Sequence, residues 1–157
     1  MEILTDEQAI EKVDHFFIET FKRYALLKAF AEVLRFPFFA FYKGGGHVRY
    51  DDHLISSHFE PFPLLGGRSA NLVIGVKYRK DYMEIIWSSF HEWGHLSQPT
   101  LTNEIRLNPL LTHQRESDAW DRAETKLKDF AILQPHMHKF YIYRDQCLND
   151  YYDKIPK

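Results

Sequence analysis

Cysteine is nearly absent: Cys147 is the single thiol in 157 residues. One cysteine cannot close an internal disulfide, and it excludes a cysteine-rich zinc site as well. A lone thiol suits a reducing compartment, so a cytoplasmic location is expected. Long apolar runs are missing too. The longest aromatic stretch, Phe36 to Tyr42, falls far short of the roughly 20 residues a membrane-spanning helix needs. No basic-then-apolar leader opens the chain, and no membrane partner is expected. Charge of one sign is not in surplus: the formal net charge is -2 and the pI is near 6.5. Direct nucleic-acid binding, which calls for a basic domain, is not expected. No internal repeat, low-complexity linker or charge block divides the sequence, so residues 1–157 read as one domain.

What the chain does have is apolar and aromatic material, 45% and 16% of its residues, enough to bury a real core. Thr5 and Gln8 form a capping-box pair. Ile10, Val13, Phe17, Phe21, Tyr24, Leu27, Ala31 and Leu34 then recur in steps of three and four, which predicts one long amphipathic helix stopped by Pro37. Phe36 to Tyr42, the glycines 44–46 and His47-Val48-Arg49-Tyr50 predict a β-hairpin. Asp51, Asp52, His53 and His58 follow in a region without period; they can be drawn as a metal site, though solvated turns often carry such residues. Residues 56–69 read as a loop and Asn71 to Tyr78 as a strand. Asp81 is placed to cap the next helix, whose apolar positions are Tyr82, Ile85, Ile86, Phe90, Trp93 and Leu96, and Gln98-Pro99 stops it. Residues 99–114 lack periodicity and read as a long loop or short helical turns. Arg115 to Phe130 reads as a helix with Glu116, Ala119, Trp120, Ala123, Leu127 and Phe130 on one face. A last helix carries Met137, Phe140, Tyr141, Leu148, Tyr151 and Ile155.

The chemistry lies in the middle of this order. His91-Glu92-Trp93-Gly94-His95 spells H-E-x-x-H. Residues four apart on a helix share a face, so both imidazoles reach one point, and Glu92 flanks it. The pattern points to zinc held by His91 and His95, with Glu92 as general base toward a coordinated water. The helix is apolar enough to be largely buried, and burying these polar groups without partners is costly. Gly94 in mid-helix points to close approach by another backbone. A catalytic zinc takes a third protein ligand. Glu116, a carboxylate on an otherwise apolar stripe, is the leading candidate; Asp118, Asp121 and His113 compete. His113, Tyr78 and Arg115 are candidate donors to a developing oxyanion. The strand over 71–78 offers an edge to an extended peptide.

These residues resemble a known family. His91 to His95 followed by Glu116-Ser117-Asp118-Ala119-Trp120-Asp121-Arg122-Ala123 is similar to the H-E-x-G-H and E-x-x-A-x-x-x-A pattern of ImmA/IrrE-type metallopeptidases. The resemblance implies an α+β, zincin-like fold: a small, mainly antiparallel sheet packed against an active-site helix, with long N- and C-terminal helices. It implies His91, His95 and Glu116 as zinc ligands, Glu92 as catalytic base and cleavage of a protein or peptide, with transcriptional regulators the substrates of characterised members. The chain departs from the pattern at Trp120, where the family usually has asparagine, and at Arg122, where it has phenylalanine. Two other readings stand beside the peptidase. One is a non-catalytic interaction module on the same scaffold, with a structural zinc closed by a fourth ligand such as His113. The other is a metal-free helical scaffold.

Overall fold

Thr5 Oγ1 accepts from Gln8 N at 3.2 Å, and Gln8 Oε1 accepts from Thr5 N at 3.0 Å, so the capping box starts helix α1, Asp6–Arg23. The computed structural model describes residues 3–62, 69–79 and 81–152. The expected long helix does not form. It ends at Tyr24, a 3-10 turn spans Ala25–Phe30, and α2 runs over Ala31–Lys43. The chain folds back on itself there. Lys43 reaches Asp6 at 2.7 Å, Arg35 reaches Asp14 at 2.9 Å, and Phe38 packs edge-on against Phe16 with centroids 5.2 Å apart. Folding back buries Leu34, Phe38 and Phe41, which a straight helix would carry away from the core.

Pro37 lies inside α2 rather than at its end, and Phe36 to Tyr42 is helical, so the hairpin is corrected as well. Proline inside a helix costs about 3 kcal/mol, and the burial of several aromatic rings, each contributing roughly 1.5–3 kcal/mol, outweighs it. The glycine run ends the helix. A Cβ on Gly46 would stand 1.7 Å from Ala70 O, so only glycine lets this corner lie against the sheet.

The sheet has three strands among the described residues: β1 (Val48–Asp51), β2 (His58–Pro61) and β3 (Ala70–Gly75), in the order β1-β3-β2. β1 pairs parallel with β3, Val48 opposite Leu72, and β2 pairs antiparallel, Phe59 opposite Leu72. The fold is α+β, but the sheet is mixed rather than mainly antiparallel. β3 is central, so it has no free edge; β2 is an edge strand. Residues 58–61 are strand, not loop, while 63–68 of the expected loop lie outside the described residues. The strand expected to reach Tyr78 stops at Gly75.

Helix α3, Met83–Leu96, lies at the centre of the fold, packed on β3, α2 and the two long helices that follow it. Asp81 Oδ1 accepts from Met83 N at 2.9 Å at its start. Met83, Ile85, Ile86, Trp87 and Phe90 are buried. Thr102 caps the short α4, Asn103–Leu107. Asn108 caps α5, Pro109–Leu127, by accepting from Leu110 N and Leu111 N. Asn108-Pro109 is a cap followed by an N1 proline, so α5 begins six residues before the expected Arg115 (115 − 109) and ends before Phe130. A 3-10 turn over Ala131–His136 leads into α6, Met137–Tyr152. Met137 and Phe140 are buried there as expected. The side chain of Tyr151 and all of Ile155 lie outside the described residues. No helix among the described residues is long and apolar enough to cross a membrane.

Candidate metal centre

The last turns of α3 aim His91 and His95 at α5. The rings lie 4.7 Å apart between centroids. Glu116 comes from the third turn of α5 and places one oxygen by each ring: His91 Nε2 is 2.9 Å from Oε2 and His95 Nε2 is 3.0 Å from Oε1. One ligand atom from each residue lies within 4.8 Å of the other two. The two helices come this close because of Gly94, where a Cβ would stand 2.4 Å from Ala119 O. Ala119, Trp120 and Ala123, the small and flat residues of the α5 stripe, are buried against α3.

These residues can hold a metal ion. Two imidazole nitrogens and a carboxylate oxygen are a donor set that suits zinc, which binds such atoms at about 2.0–2.2 Å. Each histidine Nε2 lies within 3.0 Å of a Glu116 oxygen. His91 Nδ1 is buried with no hydrogen-bond partner among the described residues.

The electrostatics without a cation are strained in a telling way. Burial pulls His95 down, but its hydrogen bond and attraction to Glu116 outweigh that and hold it at about 9. Burial lowers His91 despite the same carboxylate. Glu116 is raised by burial, but hydrogen bonds from both histidines hold it well below the usual carboxylate range. Glu92 has no such partner, and burial pushes it up to about 8. Its Oε1 stands 3.8 Å from His91 Nε2. A cation at the triad is the opposite charge that returns a neighbouring carboxylate to its ionised form.

Around the triad a set of polar groups fixes orientation. His95 Nδ1 lies 2.8 Å from Gln98 Oε1, while Gln98 Nε2 donates to Arg115 O and Asp118 Oδ2, both at 2.8 Å. With both amide hydrogens used, Gln98 presents its oxygen to His95 Nδ1–H, so Nε2, which faces Glu116 here, is the nitrogen a metal would take. Asp118 lies outside the three-donor cluster and is engaged by Gln98; it also accepts from Arg122 Nε at 2.8 Å. Arg122 Nη1 donates to Ser97 O at 3.0 Å, which ties the end of α3 to α5. Trp120 stacks on His91, centroids 4.0 Å apart and planes 19° from parallel, holding that ring flat. Gln98 was missed in the sequence, although it stands three residues after His95.

The triad forms part of the lining of a cleft of about 800 Å³. Ser56 to Phe59 and Pro61, on and before β2, line one part of it; Pro99 to Leu101, Ile105, Arg106, Thr112 and Arg115 line another, and Tyr143 and Cys147 of α6 a third. Glu92 lines it as well. Of the expected oxyanion donors, only Arg115 is there. Tyr78 is 76% exposed in a turn after β3, and His113 belongs to α5 rather than to a preceding loop, outside both the cleft lining and the three-donor cluster. Asp121 is outside the cluster too. The residues Asp51, Asp52, His53 and His58 do not converge: Asp52 pairs with Arg23 at 2.8 Å, Asp51 with Arg49 at 3.2 Å, and His58 with Glu60 at 3.1 Å. Comparison with family models, with curated proteins and with solved structures gives no match to this chain.

Proposed function

We propose that the chain is a zinc-dependent endopeptidase of the ImmA/IrrE-like, zincin kind. One observation carries this reading: a His-His-Glu donor set and the separate, buried Glu92 carboxylate line a single cleft. His91, His95 and Glu116 would hold the ion. When bound, zinc supplies a Lewis acid that polarises a carbonyl and acidifies a water from about 15.7 to about 7. Glu92 would take a proton from an attacking water as the water's oxygen bonds to the carbonyl carbon, and would pass that proton to the leaving amine nitrogen as the C–N bond breaks. Glu92 makes no hydrogen bond to the triad that would divert its carboxylate from this task. Arg115 is the one expected oxyanion donor that lines the cleft, which supports that role for it. An extended peptide would pair with β2, the edge strand beside the cleft, and not with the central β3. A structural four-ligand zinc fits less well, since His113 stands outside the donor cluster.

The test uses zinc-loaded protein and a mixed peptide library read by mass spectrometry. Glu92→Gln should keep one zinc and lose hydrolysis by about 10²–10⁴-fold, the usual worth of a positioned base. Undiminished cleavage by that variant with zinc in place contradicts the role of Glu92.

A further inference from the structure

The described arginines sort into two groups. Arg23, Arg35, Arg49, Arg79, Arg122 and Arg144 each have a carboxylate oxygen within 4.0 Å. Arg106 and Arg115 have none among the described residues, and these two line the cleft of the triad. Each makes one hydrogen bond, to a neutral acceptor. Arg106 Nη2 donates to Asn103 Oδ1 at 2.8 Å, and Arg115 Nη1 donates to Pro99 O at 2.9 Å. A guanidinium has five N–H donors in a fixed fork that matches a carboxylate, so most of this capacity is unspent. Arg115 is only part-exposed, which makes an unmatched charge there costlier than at the surface. The acid nearest in sequence, Glu116, cannot serve it, because both its oxygens face the histidines. Asp118, three residues on, is taken by Gln98 and Arg122. Leu101 and Ile105 line the cleft with them, so the two charges share its lining with apolar surface.

We propose that Arg106 and Arg115 bind a carboxylate of the substrate, so that the cleft takes peptides with an acidic side chain, or a free C-terminal carboxylate, close to the scissile bond. Substrate choice of this kind rests on the peptidase reading above. The test therefore reads binding, which can succeed or fail separately from catalysis.

Full-length Glu92→Gln protein loaded with zinc is titrated with fluorescent peptides. In one arm, end-capped peptides carry a single glutamate at successive positions, each matched by its glutamine counterpart. In the other, a peptide without acidic residues has either a free C-terminal carboxylate or an amide. One acidic arm should bind about tenfold or more tightly than its neutral partner, as charge-assisted hydrogen bonds allow. The arm that responds tells a side-chain carboxylate from a terminal one. The preference should weaken with salt, shrink in Arg106→Gln and vanish when Arg115→Gln is added. Arg115→Lys should restore part of it. Arg106 is exposed, so Arg106→Gln alone keeps the test valid if replacing Arg115 unfolds the chain. Equal binding of acidic and neutral peptides, no binding of any, or a preference untouched in Arg106→Gln and Arg115→Lys overturns the proposal. Wild-type cleavage that ignores acidic residues would overturn it and leave the peptidase standing. Acid-selective binding without wild-type cleavage would do the reverse.

Discussion

At the scale of single residues, the site depends on orientation as much as on identity. Two histidines and a glutamate in a sequence are a list of donors; Gln98 orients one of them, its oxygen 2.8 Å from His95 Nδ1, so that Nε2 faces Glu116. Gln98→Ala should therefore weaken zinc binding by about 10–100-fold, the usual effect of losing a group that orients a metal-binding histidine. Competition against a chromogenic chelator measures it, and an unchanged affinity would remove Gln98 from the site. The spacing of His91, Glu92 and His95 was legible at once, because helical periodicity alone puts the histidines on one face. Glu116 was legible as a charge on an apolar stripe. Gln98 was not, since an amide three residues on looks like any helix end until its two donors are traced to Arg115 and Asp118. Two further residues of α5 support this arrangement. Trp120 braces His91, and Arg122 straps Asp118 to the end of α3.

At the scale of elements, the contact between α3 and α5 decides whether the triad closes. Gly94→Ala sets two effects against each other. Alanine gains about 1 kcal/mol of helix propensity, but its Cβ would stand 2.4 Å from a backbone oxygen of α5 that cannot rotate away. Overpacking of this kind costs typically 1–3 kcal/mol, so the clash should win. Chemical denaturation should show a destabilised protein, and zinc affinity should fall with it because Glu116 rides on the displaced helix. A variant as stable as the parent would mean the helices have room to spare. Elements were less legible than the site. Nothing in residues 10–34 marks the break at Tyr24: no glycine or proline stands there, and the apolar steps run on through the 3-10 turn. Phe36 to Tyr42 looked like a strand because aromatic residues favour strands. Tertiary packing against α1 made it a helix, proline included. The start of α5 was readable from Asn108-Pro109, a capping pair hidden in what looked like a loop.

At the scale of the whole molecule, the sheet, α1 and α2 form one body of the core, and α3 joins it to the helices that follow. α3 carries two donors on its far end, α5 brings the third, and α4 and α6 help enclose the cleft. A cation here would link α3 to α5 directly, and binding only the folded chain it would stabilise the fold by mass action. Elemental analysis of protein purified without chelator, paired with X-ray absorption at the zinc edge, tests this most directly. One zinc per chain is expected, bound by two imidazole nitrogens and carboxylate oxygen and lost in His95→Ala. A wild-type chain that carries no metal after zinc is supplied, or full zinc occupancy in His95→Ala, would contradict it.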